Sequence, residues 1–539
     1  MRLRLLFVVC IAAAAITAGR LQPLVAAEPA KAARLKVDFN AKGISVLNYG
    51  TTNLLADGTF LVERVVIRKR DGSETVPALN PDAKWDARRR VLTTRFPWGS
   101  VTCEYGVDPD RLKFHITITN DSPDTIQGLC LRPLLVRFPE VPKGWDPKGH
   151  PHWDFLPGSP RVHVGDFGTG VLAFANEDLR SPLIGGFRWA SDPTTQTYPV
   201  VLWSSNSGWP DEAVTRRMVR PIPSGGRDEY SMSLRFGASG STGPRLAADL
   251  YRKFVTAYPY RVRWTDRRPI GALFISTSDP KLQSESNPRG WLLDKTIDVT
   301  TPAGRTAFKE RMFRWVDASV ALLKKTGAQG SIVWDVEGQQ YPHGVSYIGD
   351  PRSLPPEMDE IADEFFARLR TDGLRTGVTV RPQLPVRPPY GTAVTQIEVT
   401  DPAQNLIDKI AYATKRWGCT LFYIDSNGGP SVPMEDDIFD RVAAAHPDVL
   451  LVPEHETTRY YSFSAPFHAL EMGIASTPSW VREVYPEAFS VIYAPKDVAK
   501  HHAELVEAVR RGDILLIVGW HESSETAEIR KIYEEAGRR

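Results

Sequence analysis

Five times in the second half of this chain an apolar run stops abruptly at charged or amide residues. Ser331–Trp334 runs into Asp335-Val336-Glu337-Gly338-Gln339-Gln340, and Leu374–Val380 into Arg381-Pro382-Gln383. Thr420–Ile424 runs into Asp425-Ser426-Asn427-Gly428-Gly429, Val449–Val452 into Pro453-Glu454-His455-Glu456, and Ile514–Val518 into Gly519-Trp520-His521-Glu522. Side chains alternate along a strand, so Asp335 with Glu337, Asp425 with Asn427, and Glu454 with Glu456 share faces. If Val333, Tyr423 and Val452 in the same phase fill an interior, these acids open into one hollow. Carboxyl groups crowded in a partly dry pocket raise one another's pKa, so that one stays protonated as a general acid while another stays ionised. Asp425 and Glu454, on adjacent exits, are the expected catalytic pair. Asp335, Glu337, Arg381, Asn427, Glu456, Trp520 and His521 are the expected substrate-binding groups.

Each residue also has a structural role open to it. An Asp after a buried strand suits a turn or a helix cap. Asp335 could hold Arg381, Glu454 could pair with Arg459, and Glu456 and Glu522 could face solvent. Aromatic and amide residues gather at the same exits: Trp291, Trp334, Tyr341, Tyr460, Tyr461, Trp480 and Trp520, with Asn287, Gln339, Gln383, Asn427 and His521. Flat rings for the C–H faces of a sugar, beside hydrogen-bonding groups for its hydroxyls, suit a carbohydrate cleft. Trp315 and Trp417 on helices, and Trp334 within a strand, fit the core.

The elements that must carry these residues alternate. After Arg268, strands at Ile270–Ser276, Ser331–Trp334, Leu374–Val380, Thr420–Ile424, Val449–Val452, Phe489–Tyr493 and Ile514–Val518 are separated by helical patterns. The helices are Thr306–Lys325, Met358–Leu369, Leu406–Trp417, Ile438–Ala445, Val498–Val509 and Thr526–Ala536. An eighth, weaker strand is placed near Gly473–Ser476. Alternation over this length predicts an α/β TIM barrel of eight strands, whose catalytic groups stand at the carboxyl ends. A doubly wound open sheet competes, but GxGxxG is missing after the first strand and GxxxxGK[ST] is missing altogether. Before it, residues 35–242 read as short strands such as Val46–Gly50, Thr59–Ile67, Leu112–Ile118 and Val200–Trp203, which predicts an antiparallel β-sandwich. Residues 243–267, with one amphipathic stretch at Leu246–Phe254, form the linker, and 268–539 the barrel.

The 539 residues are 42% hydrophobic and 24% charged, which excludes a disordered or collagen-like chain. With 66 basic against 64 acidic residues, no positive excess exists to hold nucleic acid. Arg2 and Arg4 precede the apolar run Leu5–Ala18, and Val25-Ala26-Ala27 offers a cleavage point, so residues 1–27 read as a secretory signal and the location as secreted or periplasmic. Cleavage removes Arg2, Arg4 and Arg20 and no acid, leaving an almost neutral chain without a membrane anchor. Cys103, Cys130 and Cys419 remain; they lack CxxC spacing, and a bridge between Cys103 and Cys130 is open. No cofactor or metal is expected. The first exit carries Ser276-Thr277-Ser278-Asp279 where a metal-dependent barrel hydrolase would have His-x-His, and His150-Pro151-His152 lies in the β-rich half. GxSxG is absent, against an esterase.

A β-sandwich followed by a barrel with Tyr423-Ile424-Asp425-Ser426-Asn427 at its fourth strand resembles the α-glycoside hydrolases. The Asp-x-Asn element is similar to the nucleophile motif of the α-glucosidase and α-xylosidase family. Glu454 after the fifth strand is similar to the acid/base of the α-amylase superfamily and of the endo-α-N-acetylgalactosaminidases. The amylase pattern's Arg two before the nucleophile is missing, and the strand-six acid of the α-glucosidases has only Glu483 and Glu487 nearby. The resemblance implies a glycosidase acting on oligo- or polysaccharides through a retaining displacement, Asp425 attacking and Glu454 donating the proton. A barrel that binds carbohydrate without cleaving it is the alternative, and a metal-dependent hydrolase a more distant one.

Overall fold

The computed structural model describes residues 34–145, 152–154, 160, 162–178, 184–187, 197–205, 221–339, 348–386, 395–429 and 432–538, apart from position 80. The signal-like segment, Gln340, Tyr341, His150 and Pro151 lie outside them. No helix among the described residues is long and apolar enough to cross a membrane.

The second half forms an eight-stranded parallel sheet that curls almost shut: β1 (Ile270–Phe274), β2 (Gly330–Trp334), β3 (Arg375–Val380), β4 (Leu421–Ile424), β5 (Leu450–Pro453), β6 (Phe467–Ala469), β7 (Val491–Tyr493) and β8 (Ile514–Val518). Except at β5 and β6, the two ends of the sheet, neighbours in sequence are neighbours in the sheet, and β8 returns to pair with β1, Leu516 opposite Ile270. Between β5 and β6 the ring is joined by Ala465 N donating to Leu451 O at 3.0 Å. The sixth strand is therefore Phe467–Ala469, not Gly473–Ser476. A three-residue strand flanked by Pro466 and broken by His468 shows no apolar run.

The helices are α1 (Pro302–Lys325), α2 (Pro356–Leu369), α3 (Pro402–Trp417), α4 (Asp436–Ala445), α5 (Ser479–Val484), α6 (His502–Arg511) and α7 (Ser524–Glu535). Proline opens the first three, where its missing N–H costs nothing. Thr301 caps α1 and Asp401 caps α3 by accepting from Gly304 N and Gln404 N. Gly418 at φ 67° stops α3.

Alternation separates two cores. Ile270, Ala272, Ile332, Trp334, Leu421, Tyr423, Leu450, Val452, Ile514 and Leu516 fill the interior. Leu273, Val333, Val378, Phe422 and Leu451 point outward onto Phe308, Met312, Phe365, Leu406 and Ile410 of the helices. Val262 and Trp264 pack against the interior, and Trp264 donates to Gln329, just before β2, so they close the amino end. Val333 thus faces the helices, not the hollow, which corrects the phase expected for Asp335.

The first half is β-rich. One antiparallel sheet runs in the order 162–166, 171–176, 227–237, 111–120, 99–108, 91–96, 82–86; a second runs 152–154, 184–187, 197–205, 125–137, 61–68, 74–75, with 55–57 also on 125–137. Both contribute to one apolar core, Phe114 and Ile116 from the first and Val65, Leu129 and Leu131 from the second. Phe174 and Phe187 meet across it with centroids 6.5 Å apart. Cys103 and Cys130 lie on different sheets and are both free thiols, so the bridge left open by spacing does not form. The helix Ala248–Ala257 joins the halves: Leu250, Tyr251 and Phe254 pack with Ala175 on one side and Tyr461, Val484 and Tyr485 on the other. Its Asp249 receives the guanidinium groups of Arg235 and Arg111, which hold that carboxyl well below its usual range against the opposing effect of burial.

Candidate active site

Register brings the acids together. Val380, Ile424 and Pro453 lie side by side at the ends of β3, β4 and β5. The ladder continues one residue further, with Asp425 N donating to Val380 O and Glu454 N to Ile424 O, both at 3.0 Å. Arg381, next after β3, shares the inward phase of Gly377 and Thr379, because Val378 and Val380 belong to the helical layer. Its Nε and Nη2 donate to Asp425 Oδ2 at 2.9 and 2.6 Å, and its Nη1 to Gln396 Oε1 at 2.9 Å. Arg381 therefore pairs with Asp425 rather than with Asp335.

Ser426 joins the two acids. Its N–H donates to Glu454 Oε2 at 2.8 Å and its hydroxyl to Asp425 Oδ1 at 3.1 Å. This needs a left-handed backbone at Ser426, φ 54°, a conformation costly for a residue with a Cβ. Burial, and then the nearby Asp425 charge, push Glu454 above the ordinary carboxyl range, with the Ser426 N–H and Arg381 opposing. His455 Nε2 lies 3.6 Å from Glu454 Oε2, and burial lowers that imidazole's pKa, which favours its neutral form. Asn427 is fully buried and clamps the loops, its amide donating to His455 O and its carbonyl accepting from His455 N. Arg459 takes Asp437 and Asp440 instead of Glu454.

At the second exit Asp335 adopts φ 56°, which turns it out of the phase of Val333. Its Oδ2 accepts from the Ser276 hydroxyl and from Gln339 Nε2, while Oδ1 has no hydrogen-bond partner among the described residues. Burial raises Asp335 to about 8 against those donors. Glu337, equally buried, is raised to about 7 by burial and then by Asp350, with Lys409 opposing.

The remaining expected residues divide. Glu456 accepts from the Tyr461 hydroxyl and lies 3.4 Å from His468 Nε2, so its carboxyl turns to a buried Tyr–His pair rather than to open solvent. Trp520 is half-buried, its Nε1 without a partner among the described residues; exposed His521 lies against it, ring centroids 4.2 Å apart. Glu522 is exposed and pairs with Lys325. Trp291, donating to Glu357, is wholly buried, as are Tyr460 and Tyr461. Asn287 folds its own loop by donating to Trp291 O and Asp294 O. Gln383 reaches Ser426 O at 3.2 Å.

Sequence reading missed a belt of rings inside the barrel. Phe274, Trp334, Tyr423, Phe467 and Tyr493 close a circle, with successive centroids 5.3, 4.8, 5.2, 6.2 and 6.4 Å apart. Phe274, Phe467 and Tyr493 remain only half-buried. The signal was an aromatic on each of five strands at an inward position. Ser276, Gln396, Asn405 and Lys409 were also missed; a lysine on an apolar helical stripe was the visible clue to the last. Among the described residues no group of three or more His, Cys, Asp or Glu is placed to hold a metal ion.

No family model and no curated protein matches the chain. It is similar in structure to the galactosidase domain of an alpha-galactosidase-sucrose kinase, at 10% identity and a TM-score of 0.41, covering 88% of this chain and 74% of that one. A GH36 alpha-galactosidase from Geobacillus stearothermophilus in complex with stachyose gives 11%, 0.42, 94% and 86%. A GH31 family sulfoquinovosidase from E. rectale in complex with an aza-sugar inhibitor gives 9%, 0.43, 93% and 82%.

Proposed function

We propose that this chain is a glycoside hydrolase that cleaves α-linked oligo- or polysaccharides by a retaining displacement. One observation carries this: two carboxyl groups at adjacent strand exits share Ser426, one gripped by Arg381 and the other half-buried. Arg381 donates to Asp425 Oδ2, while burial and then the Asp425 charge raise the Glu454 carboxyl, as a general acid requires. Asp425 Oδ1, away from Arg381, attacks the anomeric carbon as Glu454 protonates the leaving oxygen. A covalent glycosyl ester forms on Asp425 and the aglycone departs with the proton. Glu454, now ionised, takes a proton from water, which displaces Asp425 and restores both groups. A retaining pair stands about 5 to 5.5 Å apart and an inverting pair roughly 6.5 to 9.5 Å, and two acids that meet at one serine suit the former reading.

The remaining groups fit around this pair. Asp335 Oδ1 and Arg381 take hydroxyls near the cleaved bond, and the half-buried rings face the sugar's C–H surface. Export from the cytoplasm and a supporting role for the β-rich half belong to the same proposal. A test is to assay α- and β-nitrophenyl glycosides and polysaccharides with the native chain, Asp425→Asn and Glu454→Gln. Turnover should fall at least about 10⁴-fold in Asp425→Asn. Glu454→Gln should lose ~10²–10⁴-fold on sugar leaving groups but far less on nitrophenolate, which needs no proton. Glycan binding without turnover by the native chain would favour the non-catalytic alternative.

A further inference from the structure

The strand-three exit that carries Arg381 is gripped from behind by α3. Lys409 is completely buried, and its ammonium donates to three backbone carbonyls: Gly349 O at 3.0 Å, Arg381 O at 2.7 Å and Gln383 O at 2.7 Å. One turn earlier, buried Asn405 donates to Pro382 O at 2.9 Å and Gln383 O at 3.1 Å. Residues four apart share a helix face, so two polar side chains on the otherwise apolar stripe of Leu406, Ile410 and Ala413 hold the carbonyls of the whole 381–383 turn. Around them, Asp350 lies 3.7 Å from the ammonium and is bound by Arg352, which also donates to Asn405. Glu337 also acts on Lys409.

A buried ammonium is costly to desolvate, and capping one loop does not require one. What distinguishes this turn is Arg381, held by backbone on one side and by Gln396 and Asp425 on the other. We propose that Asn405 and Lys409 are positioning residues that fix the Arg381 guanidinium against Asp425 and so support the chemical step. The groups facing Asp425 are Arg381, Ser426, Glu454 and His455, and the two helical residues reach it only through the first. The inference rests on the glycosidase reading for its kinetic consequence and on geometry alone for the positioning.

The experiment uses the full chain with Asn405→Ala and Lys409→Met, each alone and in an Arg381→Gln background. A displacement of ~1 Å in a catalytic group costs up to about 10²-fold. Each variant should therefore lose about ten- to a hundredfold in kcat, with KM little changed. In the Arg381→Gln background the further loss should shrink to about twofold, because the route to Asp425 is already cut. Equal losses in both backgrounds, or a loss carried by KM rather than kcat, would overturn the proposal. Should Lys409→Met fail to fold, Asn405→Ala, which leaves the ammonium in place, decides the matter. A crystal structure of Asn405→Ala reads the same point without turnover. The Arg381 Nη2 to Asp425 Oδ2 contact, 2.6 Å in the native chain, should open beyond hydrogen-bonding range. An unchanged contact sinks the positioning role even in an active enzyme, and an opened contact in a chain inactive on every glycoside sinks the glycosidase reading alone.

Discussion

Three carboxyl groups at the barrel mouth are raised by burial, and for two of them the consequence for stability can be worked out. Asp335 and Glu337 titrate at about 8 and about 7 in the folded chain, against ~3.9 and ~4.3 unfolded. Between those limits the folded state holds protons that the unfolded state has lost. Stability therefore falls as pH rises from ~4 toward 7 or 8, with little further change from these groups above that. Asp335→Asn and Glu337→Gln, which mimic the protonated forms, should flatten this slope. Relative to the native chain each should be more stable at pH 8 than at pH 5, as read from urea midpoints. A parallel offset at both pH values would show that neither acid is protonated when folded. Glu454 differs in kind, since it is partly exposed and accepts from the Ser426 N–H.

Among the elements, the loop between β2 and α2 closes tightly on β3's exit. Gly349 has φ 59°, and a Cβ there would meet Arg381 Cγ at 2.6 Å and Arg381 N at 2.7 Å. Gly349→Ala should cost at least about 1–2 kcal/mol from the left-handed backbone alone, measured by urea unfolding. It should also push Arg381 away from Asp425 and reduce turnover, whereas an active variant of native stability would show that this approach is slack. The left-handed turns at Asp335 and Ser426 explain why strand phase alone misplaced one acid and placed the other. Tyr423 and Val452 do point inward, so Asp425 and Glu454 follow their strands, but Asp335 departs from the phase of Val333 by its own backbone. Such a turn leaves no mark on an Asp in the sequence.

For the whole molecule, apolar runs ending in polar exits made seven barrel strands and six helices legible, most within a few residues. The alternating β-rich half was equally plain. What stayed hidden depended on partners distant in sequence. Trp291, Tyr460 and Tyr461 carry the residue types of a cleft yet satisfy their polar atoms inside the core. The role of Lys409 depends on carbonyls that arrive from the loops after β2 and β3. The halves meet through Phe254, whose ring lies 5.1 Å from Tyr258 and 6.1 Å from Tyr485. Phe254→Ala should cost about 3–5 kcal/mol and lower the midpoint of a single thermal transition, because both halves lean on that ring. Two separated transitions, with the barrel's unmoved, would show that they are stabilised independently.

The most direct measurement is to trap the intermediate with a 2-deoxy-2-fluoro glycoside that the chain turns over, followed by peptide mapping of the labelled residue by mass spectrometry. A glycosyl ester on Asp425 is predicted. An ester on Glu454 or Asp335, or steady turnover with no ester and an inverted product anomer, would contradict the assignment.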